Sequence, residues 1–510
     1  MSEKTQTIRL DPADNVIVAL DAMAAGDSHG NDGVAALVTI PAGHKMAVEA
    51  IAEGAPVRKF NQIIGFASES ILPGQHIHTH NCKFESFERD YQFGVDAKPT
   101  DYIAEEQRAT FQGFRRSNGR IGTRNYIGIL SSVNCSATVI KQMAERVTHS
   151  GILDQYPNID GVVAFAHGSG CGMDANGEGF ANMQRVMHGF AGHPNFAAVV
   201  MVGLGCEVFQ ISLFKETYGL EEGKNFASLV MQETGGSRKT IEAGVKRIEE
   251  ILPVANANVR ETVPASELTV ALQCGGSDGY SGITANPAMG AAADLLVRHG
   301  GSAILAETPE IYGAEHLLTR RAASREIGEK LIERIKWWED YTAMHGGVMD
   351  NNPSPGNKAG GLTTILEKSL GAAAKGGTTN LNGVFRYAEP INKAKGFLFM
   401  DSPGYDPCSI TGEVASGANL VCFSTGRGSA FGFKPAPSLK LATNTAMFDK
   451  LEEDMDINCG PIVDEGRSIE AMGEDVFKLW LETASGKPSK SEALGYGDHE
   501  FVPWQVGTVM

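Results

Sequence analysis

The sequence predicts an α/β protein, with a small β-rich module placed ahead of parallel, wound α/β domains. Three observations carry this. Residues 1–85 alternate short β-type runs (NVIVAL, AALVTI, IIGFA) with turn signals. From about residue 111, near-continuously apolar runs alternate with helical stretches, the pattern of buried parallel strands. Each of those runs ends in a loop rich in Gly and polar or ligating residues.

The chain has 510 residues, which at roughly 100–200 per domain suggests about three domains. With 42% hydrophobic and 21% charged residues it can bury large cores and is not a disordered chain. A net charge of −17 argues against a nucleic-acid or anionic-membrane partner. No apolar run approaches the ~18 residues that span a bilayer, and MSEKTQTIRLDPADN lacks a signal-peptide apolar region. Eight scattered Cys are no secreted disulfide framework, so a reducing cytoplasm is the expected location.

In the first module, IPAGHK (40–45) and LPGQHI (72–77) each set a Pro and Gly turn before a His. The polar stretch 86–110 reads as a linker. Two α/β domains are expected after it, at 111–265 and 266–510. Their strands are YIGIL (126–130), GVVAFA (161–166), AAVVMVGL (197–204), LTVALQ (268–273), SAILAE (302–307), GFLFM (396–400) and LVCFS (420–424). The segment from 230 to 265 reads as polar helix and turn, and SIEAMGEDVFKLWLETASG as the last helix.

Chemistry collects after the strands. The loops carry Cys135; His167, Cys171 and Asp174; Cys206 and Glu207; Cys274, Asp278, Ser281, Thr284 and Asn286; Glu307 and Glu310; Asp401 and Asp406; Thr425 and Arg427. Ligands bind outside the carboxyl ends of strands in open α/β sheets, so all seven loops are expected on one rim. A Cys after a buried strand is often a small core residue. Four in Gly-rich loops suit thiolate ligation of iron, zinc or an iron–sulfur cluster, assembled by the fold because no C-x-x-C occurs. Cys408, Cys422 and Cys459 read as packing residues.

NNPSPGNKAGG (351–361) reads as a constrained loop, too Pro/Gly-rich for a helix, presenting Asn357 and Lys358. It is either a surface turn or the place where Lys358 binds a substrate carboxylate or takes the adjacent proton. HIHTHNC (76–82) places His76, His78 and His80 on one face at strand spacing, either a solvated face or a metal site. His44 is an exposed turn residue or an acid–base group carried across to the main site.

These motifs resemble the altronate/galactarate dehydratase family over nearly the whole chain. The resemblance rests on IPAGHKMAVEAI, GQHIHTHN, GRIGTRNYIGIL, GSGCG, VGLGCE, CGGSDGYSGITANP, NPSPGNKAGGLTTILEKSLG, FSTGRGSAFG and DINCG. It implies a SAF-type β-clip domain at 1–85, a linker at 86–110, a dimerisation domain at 111–265 and a Rossmann-like catalytic domain at 266–510. It implies a hydro-lyase that takes a six-carbon sugar acid, D-altronate, to 2-keto-3-deoxy-D-gluconate under reducing conditions with iron. That iron is Fe²⁺ or a cluster with an open iron; manganese is a further option, and a metal site is expected in the C-terminal domain. The shared cysteines fall at Cys135, Cys171, Cys206 and Cys274, the expected metal ligands. Lys358, His44 and His78 are the catalytic candidates. Arg124, Asn125, Asp278, Thr284, Asn286, Glu307, Asn357, Thr425 and Arg427 are the substrate-binding candidates.

HTHN and TPEIYGAEHLL resemble the altronate branch; SELTVALQCGGSD and ADLLVRHGG resemble the galactarate branch. Galactarate or a related aldonate is therefore the alternative substrate. A homodimer or larger homo-oligomer is expected. Two other classes remain at this point: a nucleotide-dependent oxidoreductase, for which GLGCE and TGRGSAFG lack a G-x-G-x-x-G fingerprint, and a non-catalytic sugar-acid-binding protein.

Overall fold

The computed structural model describes residues 7–28, 33–87, 89–391 and 394–508. The N-terminal module is built from two small antiparallel sheets. One pairs β1 (Thr7–Ile8), β2 (Val16–Ala19), β3 (Lys45–Ala47) and β6 (His76–Ile77) in the order β1-β2-β3-β6. The other pairs β4 (Pro56–Lys59), β5 (Gln62–Ala67) and β7 (Cys82–Lys83). The run AALVTI forms no strand; it contributes a single bridge, Ile40 to Met23, and leaves Leu37 and Val38 exposed. Apolar composition without a partner strand does not make a ladder.

An antiparallel trio, β8 (Thr110–Arg115), β9 (Ile121–Gly122) and β14 (Arg260–Pro264), ties the entry of the second domain to its exit. Between them runs a parallel sheet in the order β11-β10-β12-β13, from β10 (Tyr126–Ser131), β11 (Gly161–Phe165), β12 (Phe196–Gly203) and β13 (Phe226–Val230). Ile127 and Ile129 pack on helices Ala137–His149 and Ser237–Asn256. Leu130 and Phe165 pack on the opposite face against helix Glu178–Ala191. Both faces are covered, which is why these strands read as continuous apolar runs.

The C-terminal sheet has seven parallel strands in the order β17-β18-β16-β15-β19-β20-β21. They are β15 (Thr269–Cys274), β16 (Ser302–Leu305), β17 (Leu381–Phe385), β18 (Gly396–Met400), β19 (Leu420–Thr425), β20 (Ser438–Ala442) and β21 (Ile457–Asn458). The winding reverses at β15, which has β16 on one side and β19 on the other. That is a topological switch point, where such sheets open a ligand crevice. The seven apolar runs of the sequence therefore divide between two sheets, three to the second domain and four to this one. Two further differences are local. Residues Pro355–Ala359 form a short helix, because Ser354 and Asn357 make a reciprocal capping box and Pro355 suits the first turn. The helix Ile469–Ala484 is followed by one more, Lys490–Ala493.

The N-terminal module docks on the C-terminal domain through a buried ion triad. Glu367 lies in helix Ile365–Ala374, and its carboxylate accepts from Lys45 Nζ at 2.8 Å and Lys59 Nζ at 3.0 Å. All three side chains are at most 2% exposed. Lys45 also donates to the Gly361 carbonyl at 2.6 Å. Burial alone would raise the Glu367 pKa, but the two ammonium groups outweigh it and hold the carboxyl well below the usual range.

A depressed folded pKa stabilises above the unfolded value of about 4.3 and loses that contribution as pH falls below it. Denaturant titration of the wild type is thus expected to show stability falling from about pH 4 downward. Glu367→Gln, which leaves two buried ammoniums without their counter-charge, should be about 3–5 kcal/mol less stable at pH 7. It should also lose much of that acid dependence. Equal stability of variant and wild type at pH 7 would contradict the docking role.

Candidate active site

The switch-point loop begins at Cys274 and runs through Gly275, Gly276, Ser277 and Asp278 into the turn before helix Ala285–Arg298. Asp278 is buried and serves as the knot of this loop. It accepts from the backbone of Tyr280 at 3.1 Å and Ser281 at 2.9 Å, and from the side chains of Ser281, Thr443 and Asn444. Burial pushes its carboxyl up, and the bonds from Thr443 and Ser281 oppose that. Two other segments clamp the same loop. Gly426 and Arg427 donate backbone N–H to Gly276 O at 3.1 and 3.0 Å. Asn357 Nδ2 donates to Ser277 O at 2.9 Å, and Gly279 N–H to Gly360 O at 2.8 Å. Thr425 Oγ1 accepts from Gly428 N–H at 3.0 Å, shaping the turn that carries Arg427.

This clamping brings Lys358 and Arg427 to flanking segments of one loop. Lys358 is half-buried and Arg427 exposed. Among the described residues neither side chain has an ion pair, although the chain carries an acidic excess. Two uncompensated cations beside a strand-end crevice are what an anionic substrate needs.

The N-terminal module closes over this place. Tyr280 OH donates to Leu20 O at 2.6 Å. Backbones meet there at glycine: a Cβ on Gly279 would collide with the Gly43 carbonyl oxygen, and so would one on Gly361. His44 Nε2 faces Ala359 O at 3.4 Å, and His78 Nε2 faces Lys358 O at 2.8 Å. Both histidines thus hold the main chain of the Lys358 segment.

Beneath the loop lies a buried polar cluster. Cys274 Sγ is 3.1 Å from Lys375 Nζ and 3.5 Å from Glu310 Oε2. Glu310 pairs with Lys368 at 2.6 Å, and Asn352 bridges the two. Glu307 sits in the left-handed region at φ 68°, and its carboxyl oxygens make no hydrogen bond among the described residues. Such a conformation costs about 1–3 kcal/mol and marks sites where geometry serves function. Burial, then Glu310, push Glu307 well above the carboxylate range, so it holds its proton. Burial also pushes the Cys274 thiol up to about 12. Asp406, half-exposed at the start of helix Asp406–Ser416, is pushed up to about 7 by burial and then Glu310.

Cys274, Glu307 and Glu310 bring donor atoms within 4.8 Å of one another. Two ammonium groups already stand against that set, Lys368 on Glu310 and Lys375 at 3.7 Å from Glu307. A divalent ion there would lie beside two fixed cations, so the set does not fit one. The other three predicted ligands sit elsewhere, on the second domain. Cys135, Cys171 and Cys206 follow the adjacent strands β10, β11 and β12, and all three are exposed while the other five cysteines are buried. Their loops are laced by Asn134 N–H to Ser169 O, Phe209 N–H to Gly170 O, and Ser132 Oγ to the buried Glu207 at 2.7 Å. Among the described residues their sulfurs do not converge closely enough for a single ion. Three exposed thiols at the ends of adjacent strands are the donor chemistry that an iron–sulfur cluster takes.

The remaining predicted residues are engaged structurally. Arg124 is buried against Glu492 at 2.7 Å and the carbonyls of Thr123 and Thr483. Asn125 accepts from Arg116 and donates to Asn158 O and Ala255 O. Thr284 donates to Thr443 O, and Asn286 links Ser424 to Gly371 O. The structure adds Lys368 and Lys375 to the site, beside Glu310 and Asp406 from the strand-end loops. A signal for the lysines was present: Glu367, Lys368 and Lys375 interrupt or end an otherwise small and apolar helix, ILEKSLGAAA.

Three family profiles cover the chain. Residues 5–85 match the altronate/galactarate dehydratase SAF domain, 113–256 the second domain of D-galactarate dehydratase/altronate hydrolase, and 265–509 the C-terminal domain of D-galactarate/altronate dehydratase. The chain belongs to the altronate/galactarate dehydratase family. It is 35% identical to altronate dehydratase of Bacillus subtilis, over 94% of this chain and 95% of that one. It is 34% identical to altronate dehydratase of Escherichia coli, over 96% and 97%. It is 36% identical to galactarate dehydratase (L-threo-forming) of Escherichia coli, over 94% and 93%. Family membership removes the oxidoreductase and sensor classes as leading readings. Among the described residues no helix is long and apolar enough to cross a membrane.

The glycine contact gives a direct check on the closed arrangement. Gly279→Ala should push the N-terminal module off the switch-point loop, costing about 1–3 kcal/mol as overpacking does. A lowered thermal midpoint together with lost turnover is the expected result; a variant with unchanged midpoint and rate would show that the two backbones do not meet.

Proposed function

We propose that this protein is a hydro-lyase that converts D-altronate to 2-keto-3-deoxy-D-gluconate, with galactarate or a related aldonate as the alternative substrate. The observation that carries the reading is the pair of basic side chains, Lys358 and Arg427, without an ion pair among the described residues and clamped to one strand-end loop at the switch point. The altronate-like HTHN segment favours D-altronate. Arg427 binds the substrate carboxylate and Thr425 shapes its turn. Lys358 takes the proton from C2, while Asn357 and the carbonyl contacts of His44 and His78 fix its position. Asp406 stands at the same rim and gives a proton to the C3 hydroxyl, which leaves as water. The resulting enol takes a proton at C3 and becomes the ketone.

Iron belongs to this proposal. Cys135, Cys171 and Cys206 would hold it as a cluster with an open iron, and such a centre supplies Lewis acidity toward a hydroxy acid. A homodimer or larger homo-oligomer, formed through the second domain as the family resemblance implies, belongs to the same proposal. The reducing conditions that free thiols need favour a cytoplasmic location.

Anaerobic assay with Fe²⁺ and a thiol, on D-altronate and galactarate side by side, tests the substrate. Turnover of D-altronate is expected, and activity on galactarate alone would move the protein to the other branch. Lys358→Ala should lower kcat by about 10²–10⁴-fold. Arg427→Ala should instead act mainly on KM, by about tenfold or more, as loss of a charge-assisted bond does. In anaerobically reconstituted protein, Cys171→Ala should lose iron and acid-labile sulfide while Cys274→Ser keeps both. The reverse pattern would put the iron in the C-terminal domain.

A further inference from the structure

Two helices leave the functional loops. Glu178–Ala191 follows the loop of Cys171, and Asp406–Ser416 begins at Asp406. They meet directly near their far ends, where a Cβ on Gly189 would collide with the Ala415 carbonyl oxygen. Nearer the loops they are bridged by residues 500–506, which form no helix or strand and still bury Phe501, Pro503 and Trp504. Val506 presses on one helix, since a Cβ on Gly179 would lie 2.1 Å from its carbonyl oxygen. Val502 N–H donates to Thr411 Oγ1 of the other at 2.9 Å.

On the cysteine side, the Phe501 ring packs 5.3 Å from Phe165, the last residue of β11, 4.8 Å from Phe190 and 6.3 Å from His167. The Gln505 amide lies beside Gly168 in the loop that carries Cys171. On the crevice side, Trp504 stacks on Trp338, with centroids 5.3 Å apart and planes within 5°, and its N–H donates to Tyr387 OH at 3.2 Å. Trp338 Nε1 donates to Asp401 Oδ1 at 2.8 Å, and the same oxygen accepts from Thr308 Oγ1 at 2.5 Å. The neighbouring Ser402 Oγ accepts from Glu307 N–H at 3.0 Å. Trp504 thus backs the residues that brace the left-handed Glu307 turn, four positions ahead of Asp406 on the Ser402 strand-end loop.

Phe501 and Trp504 are three residues apart, and three residues of chain reach at most about 11 Å. Neither surface can shift away from the other without unseating one of these buried rings. We propose that residues 500–506 are a strap that holds the Cys171 loop and the Asp406 side of the crevice in one register, with Phe501 and Trp504 as positioning residues. The effect on turnover rests on the dehydratase reading, in which iron and the proton donor must meet one substrate; the mechanical coupling does not. A misplacement of about 1 Å between reacting groups is enough to cost up to about 10²-fold in rate.

The test uses iron-loaded, full-length Trp504→Ala and Gly179→Ala, each checked for folding by circular dichroism. The first removes the ring on the crevice side, and the second pushes Val506 off the cysteine side. Hydrogen–deuterium exchange should quicken about threefold or more on both sides of the strap in both variants, at 167–173 and at 306–310 with 400–406. Iron and acid-labile sulfide should stay at wild-type content in Trp504→Ala. Its kcat on D-altronate should fall about tenfold or more with KM little changed, and Trp504→Phe, which keeps a ring on Trp338, should recover most of the loss. Quickening confined to the substituted side in both variants overturns the strap. So does a lowered thermal midpoint with kcat unchanged, which is packing alone. Failure of the wild type to dehydrate either sugar acid would remove the dehydratase reading, and the exchange pattern would still decide the strap.

Discussion

The arrangement of this protein depends on one buried carboxylate. Glu367 neutralises Lys45 and Lys59, which come from two different strands of the N-terminal module. Neither lysine has another anionic partner among the described residues, so the module has one low-energy seat on the C-terminal domain. Desolvating three charges is costly, and a well-packed apolar contact would hold as well. What the ionic version adds is register. The two ammoniums grip both carboxylate oxygens, and Lys45 takes the Gly361 carbonyl as well. That fixes the Gly43 turn against Gly279 and Gly361, and the histidines against the Lys358 peptide.

From that seat the site follows. The parallel sheet supplies a crevice at β15, where the winding reverses, and Asp278 ties the loop above it into one shape. Loops from two other regions are then bonded to that loop through main-chain atoms, which places Lys358 and Arg427 by backbone geometry and not by mutual side-chain contact. Both cations stay free for substrate. Below them, Glu307, Glu310, Lys368, Lys375 and Cys274 form a buried polar cluster, and Asp406 stands at its edge with a proton to give at neutral pH.

Much of this was legible in the chain. Buried parallel strands announce themselves as apolar runs, and YIGIL and GFLFM match β10 and β18 almost residue for residue. The outer strands do not: β17, at one edge, carries Asn382 and Gly383, and β20, next to the other edge, carries Lys440, so neither reads as a core run. Nor does a sequence say which strands share a sheet, and so the four cysteines looked like one ligand set when the fold splits them between two. AALVTI shows the converse error, apolar character with no strand to pair with. Asn357 and Lys358 were found on motif chemistry, yet the helix that presents them was missed because its capping box was read as a Pro/Gly-rich constrained loop. Glu367 and its lysines left only a faint trace, charges in a small apolar helix, since partners 308 and 322 residues apart are invisible to local pattern.

The most direct test of the site's location is hydrogen–deuterium exchange of iron-loaded Lys358→Ala protein with and without D-altronate. Turnover is removed in that variant while the carboxylate site at Arg427 remains. The account predicts slowed exchange at 274–281, 355–361 and 425–428, and across the joint at 43–45 and 76–81. Protection confined to the cysteine loops of the second domain, at 133–136, 167–173 and 204–207, would contradict it and move the active site to that rim.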